Sequence, residues 1–312
     1  MKYLVLVFAL LAVQILMTGC SSTQTQPQYD ARVSEAAYVY KKSIQSITMA
    51  EVKSDLCTKN AGKIKAQWNW KQAIEVADSC MKTRQFAMAE EIGNELSTRE
   101  PAGPWGPYFL ASVARERGEL ERALWMSELA MKRAHEVGIL HYLRAQVLWD
   151  KKEYGAAVAS FEKSTELDSS IVPAHLFLGQ IYYRDQDYTA ASKHFYAVLK
   201  IIPRHPIALS GLAESQLREN NVQGALDAYS RLADSYSNDG LYLARIGEIY
   251  ETVLHDIPKA LSAYRKLHGL IQSGRITKNS EISLDAKIKE LELSTQEKRT
   301  LAASDEKGSQ IK

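Results

Sequence analysis

The chain has 312 residues, of which 39 are Lys or Arg and 37 are Asp or Glu, and 46% of its residues are hydrophobic. This is the composition of an ordinary globular protein, and it excludes collagen-like, mucin-like and wholly disordered chains as well as multi-pass membrane proteins. A formal net charge of +2 gives no field that would indicate nucleic acid as a partner.

A short apolar segment opens the sequence. Residues 3–16 carry no charge, and this stretch is too short to cross a hydrocarbon layer of about 30 Å as a helix. It has the length of a secretory signal, which is absent from a mature chain. We therefore leave this segment out of the predicted fold.

The residues that follow resemble a bacterial lipobox. Thr18 and Gly19 precede Cys20, with Met17 where Leu is commoner. The resemblance implies a signal peptide over 1–19 and a Cys20 that carries diacylglycerol and an acyl chain such as palmitate. Ser21 stands where many inner-membrane lipoproteins have Asp, so the resemblance favours the outer membrane, on its periplasmic face. The alternative is a plain secretory signal that contains a cysteine.

Two segments precede the main body of the chain. Residues 20–30 are small and polar after Cys20, which is typical of a flexible tether. Residues 31–69 are predicted to form an N-terminal capping helix and a loop, because apolar residues recur every three or four positions at Val33, Ala37, Tyr40, Ile44 and Ile47.

Small residues then recur with a period of 34. One column holds Ala77, Ala111, Ala145, Gly179, Ala213 and Gly247, and a second holds Ala89, Ala123, Ala157, Ala191, Ala225 and Ala260. Small side chains on both members of a helix pair let the two axes approach closely. The pattern therefore predicts a repeated helix-turn-helix. Its second helices have apolar anchors at Phe86, Leu120, Tyr154, Tyr188, Val222 and Ile257.

At this point the chain resembles the tetratricopeptide repeat family. Residues 172–205 carry the pattern most fully, at Leu178, Gly179, Tyr182, Tyr188, Ala191, Phe195 and Pro203. The resemblance implies an all-α superhelical solenoid of about six units over 70–274. The units begin at Trp70, Pro104, Gly138, Val172, Pro206 and Gly240, and the last contains one extra residue.

The end of a repeat array needs a cap, because a terminal unit leaves an apolar face uncovered. Residues 275–301 are predicted to supply a C-terminal capping helix, with Ile282, Ile288 and Leu291 facing the last unit. Residues 302–312 are charged and nearly featureless, and we expect a disordered tail.

The sequence contains no motif that would indicate catalysis. It has no phosphate-binding glycine loop, HExxH, CxxC or nucleophile elbow, and its seven histidines are scattered. We expect no enzyme activity, cofactor, metal or small-molecule substrate. An enzyme whose site the sequence does not reveal is the alternative from another class.

Two cysteines remain after Cys20. In an oxidising compartment Cys57 and Cys80 usually pair if geometry allows, which would tie the N-terminal helix to the first unit. The pairing requires residues 58–67 to run back as a loop. If residues 62–82 were all helical, Cys80 would lie about 27 Å from the turn, which is too far from Cys57 in a simple hairpin. Two buried thiols are the alternative.

The resemblance also implies a partner-binding groove on the first helices of the units. Its positions fall on Trp105, Tyr108, Arg115, Tyr142, Gln146, Trp149, Gln180, Tyr183, Arg184 and Arg218. Tyr, Trp and Arg are the residues that dominate protein interfaces. The alternative is that some of these aromatic residues pack between repeats.

These observations predict a non-enzymatic interaction scaffold. A lipoprotein signal before a repeat body is similar to the tetratricopeptide-repeat lipoproteins of type IV and Tad pilus assembly and of gliding motility. That resemblance implies an envelope partner, such as a secretin, a pilus component or a motility component. The alternative is an adaptor that recruits peptidoglycan hydrolases or synthases.

Overall fold

The computed structural model describes Cys57 and residues 69–276 and 284–309, and these residues form helices joined by short turns. The helices are α1 Trp70–Lys82, α2 Phe86–Arg99, α3 Trp105–Glu116, α4 Leu120–Arg133, α5 Gly138–Asp150, α6 Tyr154–Leu167, α7 Val172–Arg184, α8 Tyr188–Ile201, α9 Pro206–Arg218, α10 Val222–Ser235, α11 Leu241–Glu248, α12 Ile257–Gln272 and α13 Leu284–Ser309. The predicted all-α class is confirmed. The signal, Cys20, the tether and the N-terminal helix before Cys57 lie outside the described residues.

The chain divides into two compact units, Met1–Asp168 and Ser169–Lys312. The first unit contains the helix pairs α1–α2, α3–α4 and α5–α6. The second contains α7–α8, α9–α10 and α11–α12, followed by α13. Each predicted repeat corresponds to one pair, and every second helix begins at its predicted apolar anchor.

The two columns of small residues lie where the helices of a pair meet. All twelve members are buried. The pair α7–α8 shows why size matters: a Cβ on Gly179 would lie 2.8 Å from the ring of Phe195, and one on Gly211 of α9 would lie 2.3 Å from it. Phe195 is itself 2% exposed, so the small residues create the space that its ring fills.

Every turn inside a pair contains one residue in the left-handed region, two positions before the second helix. These residues are Arg84, Gly118, Lys152, Gln186, Asn220 and His255, with φ between 53° and 79°. The residue after the left-handed one donates its backbone N–H to a carbonyl oxygen of the first helix. In the third pair, for example, Glu153 N donates to Leu148 O at 2.9 Å. This is the hydrogen-bond pattern by which helices commonly end in a left-handed residue.

The extra residue of the last pair is absorbed as a π-helical turn. Ile249–Val253 forms this turn directly after α11. A π turn holds one more residue than the α-helical turn it replaces, so the following turn keeps its register. Its left-handed residue, His255, is accordingly 35 rather than 34 positions after Asn220.

The first pair is fastened by a covalent bond. A disulfide joins Cys57 to Cys80 with Cα atoms 4.9 Å apart, and both residues are fully buried with Val76, Ala77 and Phe109. The structure therefore contains the bridge rather than two separate thiols. Residues 58–67, on which the sequence places the returning loop, lie outside the described residues.

The last pair is followed by α13. Leu284 and Leu291 are buried, while Ile288 is half-buried and Ile282 lies outside the described residues. The helix ends at Ser309, eight residues into the segment 302–312 for which the sequence predicts a disordered tail. The prediction was wrong over these residues because a charged composition does not itself oppose a helix. Ala, Glu and Lys are all good helix formers, and the only Gly lies next to the end.

Candidate functional site

The first helices of the first unit together form a small pocket. It has a volume of about 140 Å³ and lies among α1, α3 and α5. Three of the predicted groove residues, Tyr108, Arg115 and Gln146, line it. The other lining residues are Asp78, Met81, Phe109, Ser112, Glu116 and Leu143.

Arg115 holds one wall of this pocket in place. Its Nε lies 2.7 Å from Asp150 Oδ2 on α5, and its Nη1 lies 3.4 Å from Glu116 Oε1 on α3. The Arg115 side chain is only 16% exposed. Its charge is therefore compensated by two carboxylates, and the guanidinium links the first helices of two successive pairs.

Hydrogen-bonding groups line the rest of the pocket. Gln146 Nε2 donates to the hydroxyl of Tyr142 at 2.9 Å, and Ser112 Oγ donates to the backbone oxygen of Tyr108 at 2.9 Å. Burial raises the pKa of Tyr108, and the nearby Asp78 carboxylate and Tyr142 raise it further. Tyr108 thus stays a neutral hydroxyl, which can both donate and accept a hydrogen bond.

Three predicted groove aromatics in this unit pack against neighbouring rings. Tyr142 and Trp149 are 9% and 8% exposed, so most of each side chain is covered by the protein itself. The Trp149 ring lies 4.8 Å from that of Tyr154. Trp105 is half-buried and meets Tyr108 edge-on at 5.7 Å. For Tyr142 and Trp149, the structure favours the packing alternative.

The remaining predicted groove residues belong to the second unit. Tyr183 is half-buried, with its ring 5.5 Å from that of Tyr188. A hydrogen bond to Tyr183 raises the pKa of Arg218, which is exposed on α9. Gln180 and Arg184 are half-buried on α7. These four residues therefore lie on the first helices of their pairs, as the repeat register predicts.

The second unit also contains a polar network that the sequence did not reveal. Arg245 Nη2 donates to Glu214 Oε1 at 3.0 Å, and its Nη1 donates to Glu248 Oε2 at 2.7 Å. The hydroxyl of Tyr229 donates to Glu214 as well. Glu214 and Arg245 are 31 positions apart, so a search for opposite charges separated by about one repeat could have found this pair.

Two histidines meet inside the pair α7–α8. The Nδ1 atoms of His175 and His194 are 2.9 Å apart, and the ring of Tyr182 stacks on His194 at 5.5 Å. Burial lowers the pKa of both histidines, and that of His194 falls to about 4 with His175 and Lys193 contributing. Both are neutral at pH 7, and the contact needs one ring to donate and the other to accept.

The described residues carry neither a metal site nor a membrane span by the usual criteria. No group of three or more His, Cys, Asp or Glu among them is placed to hold a metal ion. Within the same residues, no helix combines the length and the apolar character needed to cross a bilayer.

Comparison with known proteins identifies the repeat. The sequence pattern of the tetratricopeptide repeat family matches residues 142–204 and 178–240. The matched residues run from α5 to the turn after α10, so the helix pairs in this part of the chain have the sequence pattern of tetratricopeptide repeats. The sequence comparison with curated proteins found no match.

Solved structures share this fold. PilF of Pseudomonas aeruginosa has 16% sequence identity and a TM-score of 0.50, over 68% of this chain and 94% of the other. A Naa15/Naa10 complex bound to HypK-THB contains a chain with 16% identity and a TM-score of 0.52, over 76% of this chain and 35% of the other. MamA of Desulfovibrio magneticus RS-1 has 18% identity and a TM-score of 0.44, over 56% of this chain and 96% of the other. At 16% identity, the likeness to PilF and to the Naa15/Naa10 complex establishes the fold alone.

Proposed function

We propose that the chain is a non-enzymatic scaffold that binds a protein partner on the first helices of its repeats and supports assembly of an envelope complex. The fold itself is one that serves protein interaction. We further propose that the lipid on Cys20 tethers the chain to the periplasmic face of the outer membrane, and that the partner is a secretin, a pilus component or a motility component.

The pocket among α1, α3 and α5 is the observation that carries this proposal. It brings together Tyr108, Arg115 and Gln146 from two successive pairs, with apolar walls from Met81 and Leu143. A concave site with a few convergent polar groups on apolar walls is suited to binding an exposed side chain of another protein. Because Arg115 is fixed by Asp150, the site requires little ordering when a partner binds.

The test is to fill the pocket without disturbing the core. Ser112→Arg and Gln146→Arg place two long side chains at half-buried positions that line it. Ala156→Arg and Ala159→Arg make the same change at two exposed positions on α6 and serve as the control. Tagged full-length variants are purified from cells of the native organism, and the bound proteins are identified by mass spectrometry.

The proposal predicts that the pocket variant loses an envelope protein that the control variant retains. If the protein that the pocket variant loses and the control variant retains is of the secretin, pilus or motility class, the result would support the assembly role. A peptidoglycan hydrolase or synthase lost in the same way would favour the adaptor role instead. Equal recovery of every bound protein by both variants would contradict the assignment of this surface.

A further inference from the structure

The second unit has an exposed apolar edge formed by the ends of two helix pairs. Ile201 is the last residue of α8 and Ile202 follows it, and they are 44% and 40% exposed. Tyr236 and Leu241 flank the turn between α10 and α11 and are 37% and 66% exposed. We refer to these four residues as the apolar edge.

Hydrogen bonds hold the two turns of the apolar edge together. The hydroxyl of Tyr236 donates to the backbone oxygen of Arg204 at 3.3 Å. Arg231 Nη2 donates to the backbone oxygen of Pro203 at 2.7 Å. The turn that follows α8 is therefore joined to the C-terminal end of α10, and Leu241 lies at the start of the next helix, α11.

Cations and a tyrosine border the apolar edge. Lys200 and Arg204 flank the two isoleucines in sequence and are both exposed. Lys200 Nζ lies 5.4 Å from the ring centre of Tyr196, which is 55% exposed. Among the described residues, no ion pair compensates Lys200 or Arg204.

Carboxylates are present nearby but have other roles. Asp239 accepts a hydrogen bond from the backbone N–H of Leu241 at 3.0 Å and so lies at the start of α11. Asp227 lies 3.9 Å from Arg231, and Asp234 is exposed on α10. Along the chain, the charged residues nearest to the isoleucines are Lys200 and Arg204.

We propose that the apolar edge docks on a lipid surface that carries anionic phosphate headgroups. Aliphatic side chains enter the boundary between headgroups and acyl chains, tyrosines lie at headgroup level, and Lys or Arg pairs with lipid phosphate. The apolar edge and its border supply all three kinds of side chain in one region. Its residues lie at turns and helix ends, and Lys200 and Arg204 beside them favour an occupant with negative charge.

The test measures amide hydrogen exchange of the full chain with and without vesicles of phosphatidylethanolamine and phosphatidylglycerol. A local readout is needed because the apolar N-terminal segment would itself bind vesicles. We expect exchange in peptides covering 200–204 and 236–241 to slow at least fivefold on these vesicles. Peptides covering 253–255 should not change.

Two variants and a control sharpen the result. Ile201→Ser with Ile202→Ser, and Lys200→Glu with Arg204→Glu, should each abolish the slowing. Val253→Ser with Leu254→Ser is the matched control, because these residues are equally exposed at 46% and 44% and belong to the same unit. This control should leave the slowing intact.

Three outcomes would overturn the proposal. The first is unchanged exchange at the apolar edge while the chain floats with the vesicles. The second is equal slowing of exchange on vesicles of phosphatidylcholine alone, which would show that the anionic headgroup is not needed. The third is slowing without vesicles that grows with protein concentration, because that result would assign the edge to contact between two copies of the chain.

Discussion

The first and last helix pairs of the repeat region are closed by different chemistry. In the first pair, the buried Cys57–Cys80 disulfide ties α1 to a residue outside the repeats. In the last pair, α13 lies against α12 and the π-helical turn. There Lys287 Nζ is 2.6 Å from Glu251 Oε1, and Arg265 Nη2 is 2.6 Å from Glu292 Oε1.

The difference shows two solutions to one physical problem. A terminal repeat has a neighbour on one side only, so its apolar surface needs a closing element. A disulfide constrains the unfolded chain and does not depend on ionic strength. Ion pairs at a partly exposed surface weaken as salt screens them. The two ends should therefore respond to different treatments.

Removal of the disulfide should have the largest effect and should act on one end. Cys57→Ala with Cys80→Ala should lower the free energy of unfolding by about 3 kcal/mol, because the bridge closes a loop with a sequence separation of 23. Urea denaturation measures the total, and hydrogen exchange should locate the loss in α1 and α2. Equal loss of protection in α11 and α12 would contradict a local role.

The first and last pairs contain the same kind of left-handed turn. A substitution in such a turn should therefore change the stability in the same way at either end. Gly118 has a φ of 79°, and a Cβ there would meet no atom within 4 Å, so Gly118→Ala reports the backbone conformation alone. We expect a loss of about 1.5 kcal/mol, measured by urea denaturation. Gly269→Ala on α12 is the control. It also meets no neighbour and should stabilise the helix by about 0.5 kcal/mol.

Acid should weaken the interior pair α7–α8 rather than either end. Burial lowers the pKa of His194 to about 4 in the folded chain, against about 6.5 when unfolded. The unfolded state thus binds more protons between these values, so stability is full above about pH 6.5 and falls as the pH drops towards 4. From pH 7 to 5 we expect a loss of about 1 kcal/mol, allowing for partial exposure.

Hydrogen exchange of the α7 and α8 amides at pH 7 and pH 5 measures this loss. The exchange rates are corrected for the intrinsic exchange rate at each pH. His175 and Lys193 are the titratable and charged neighbours that lower the pKa of His194. His194→Gln should flatten the pH dependence. His135→Gln is the control, since the His135 side chain is 88% exposed. If the pH dependence of stability persists unchanged in His194→Gln, it arises from other groups.

Removal of one ion pair at the last pair should have the smallest effect. Lys287→Ala should cost about 0.5 kcal/mol and speed exchange in α13, because the ion pair between α13 and Glu251 of the π-helical turn is lost. Lys289→Ala, at an exposed position two residues on, is the control. High salt should reproduce the effect of Lys287→Ala without changing α1. If Lys287→Ala and Lys289→Ala speed exchange in α13 equally, the stability of α13 does not depend on this ion pair.

The sequence predicts the positions of the helices because packing imposes a period on residue size. Four of the six predicted unit starts coincide with the first residue of a helix, and the other two precede one by a single residue. The left-handed turn residues were not predicted, because Arg84, Lys152 and Gln186 give no glycine signal. Their conformation follows from closing the turn and not from their own preference.

The site was predicted less completely than the fold. Positions taken from a repeat family indicate which helix face a residue occupies but not how much of its side chain neighbouring rings cover. Tyr142 and Trp149 are buried for that reason, whereas Arg115 and Gln146 line a pocket. The ion pair between Arg115 and Asp150 depends on the side-chain reach across successive repeats, which spacing alone does not give.

The central claim is that the first helices of the first unit bind a protein partner. The most direct measurement places a photocrosslinking residue at Glu116, beside the pocket, in living cells, and identifies what becomes attached. A matched residue at Glu128 on α4 is the control. We predict one envelope protein attached at 116 and absent at 128. Attachment of the same protein at 128 but not at 116 would contradict the claim.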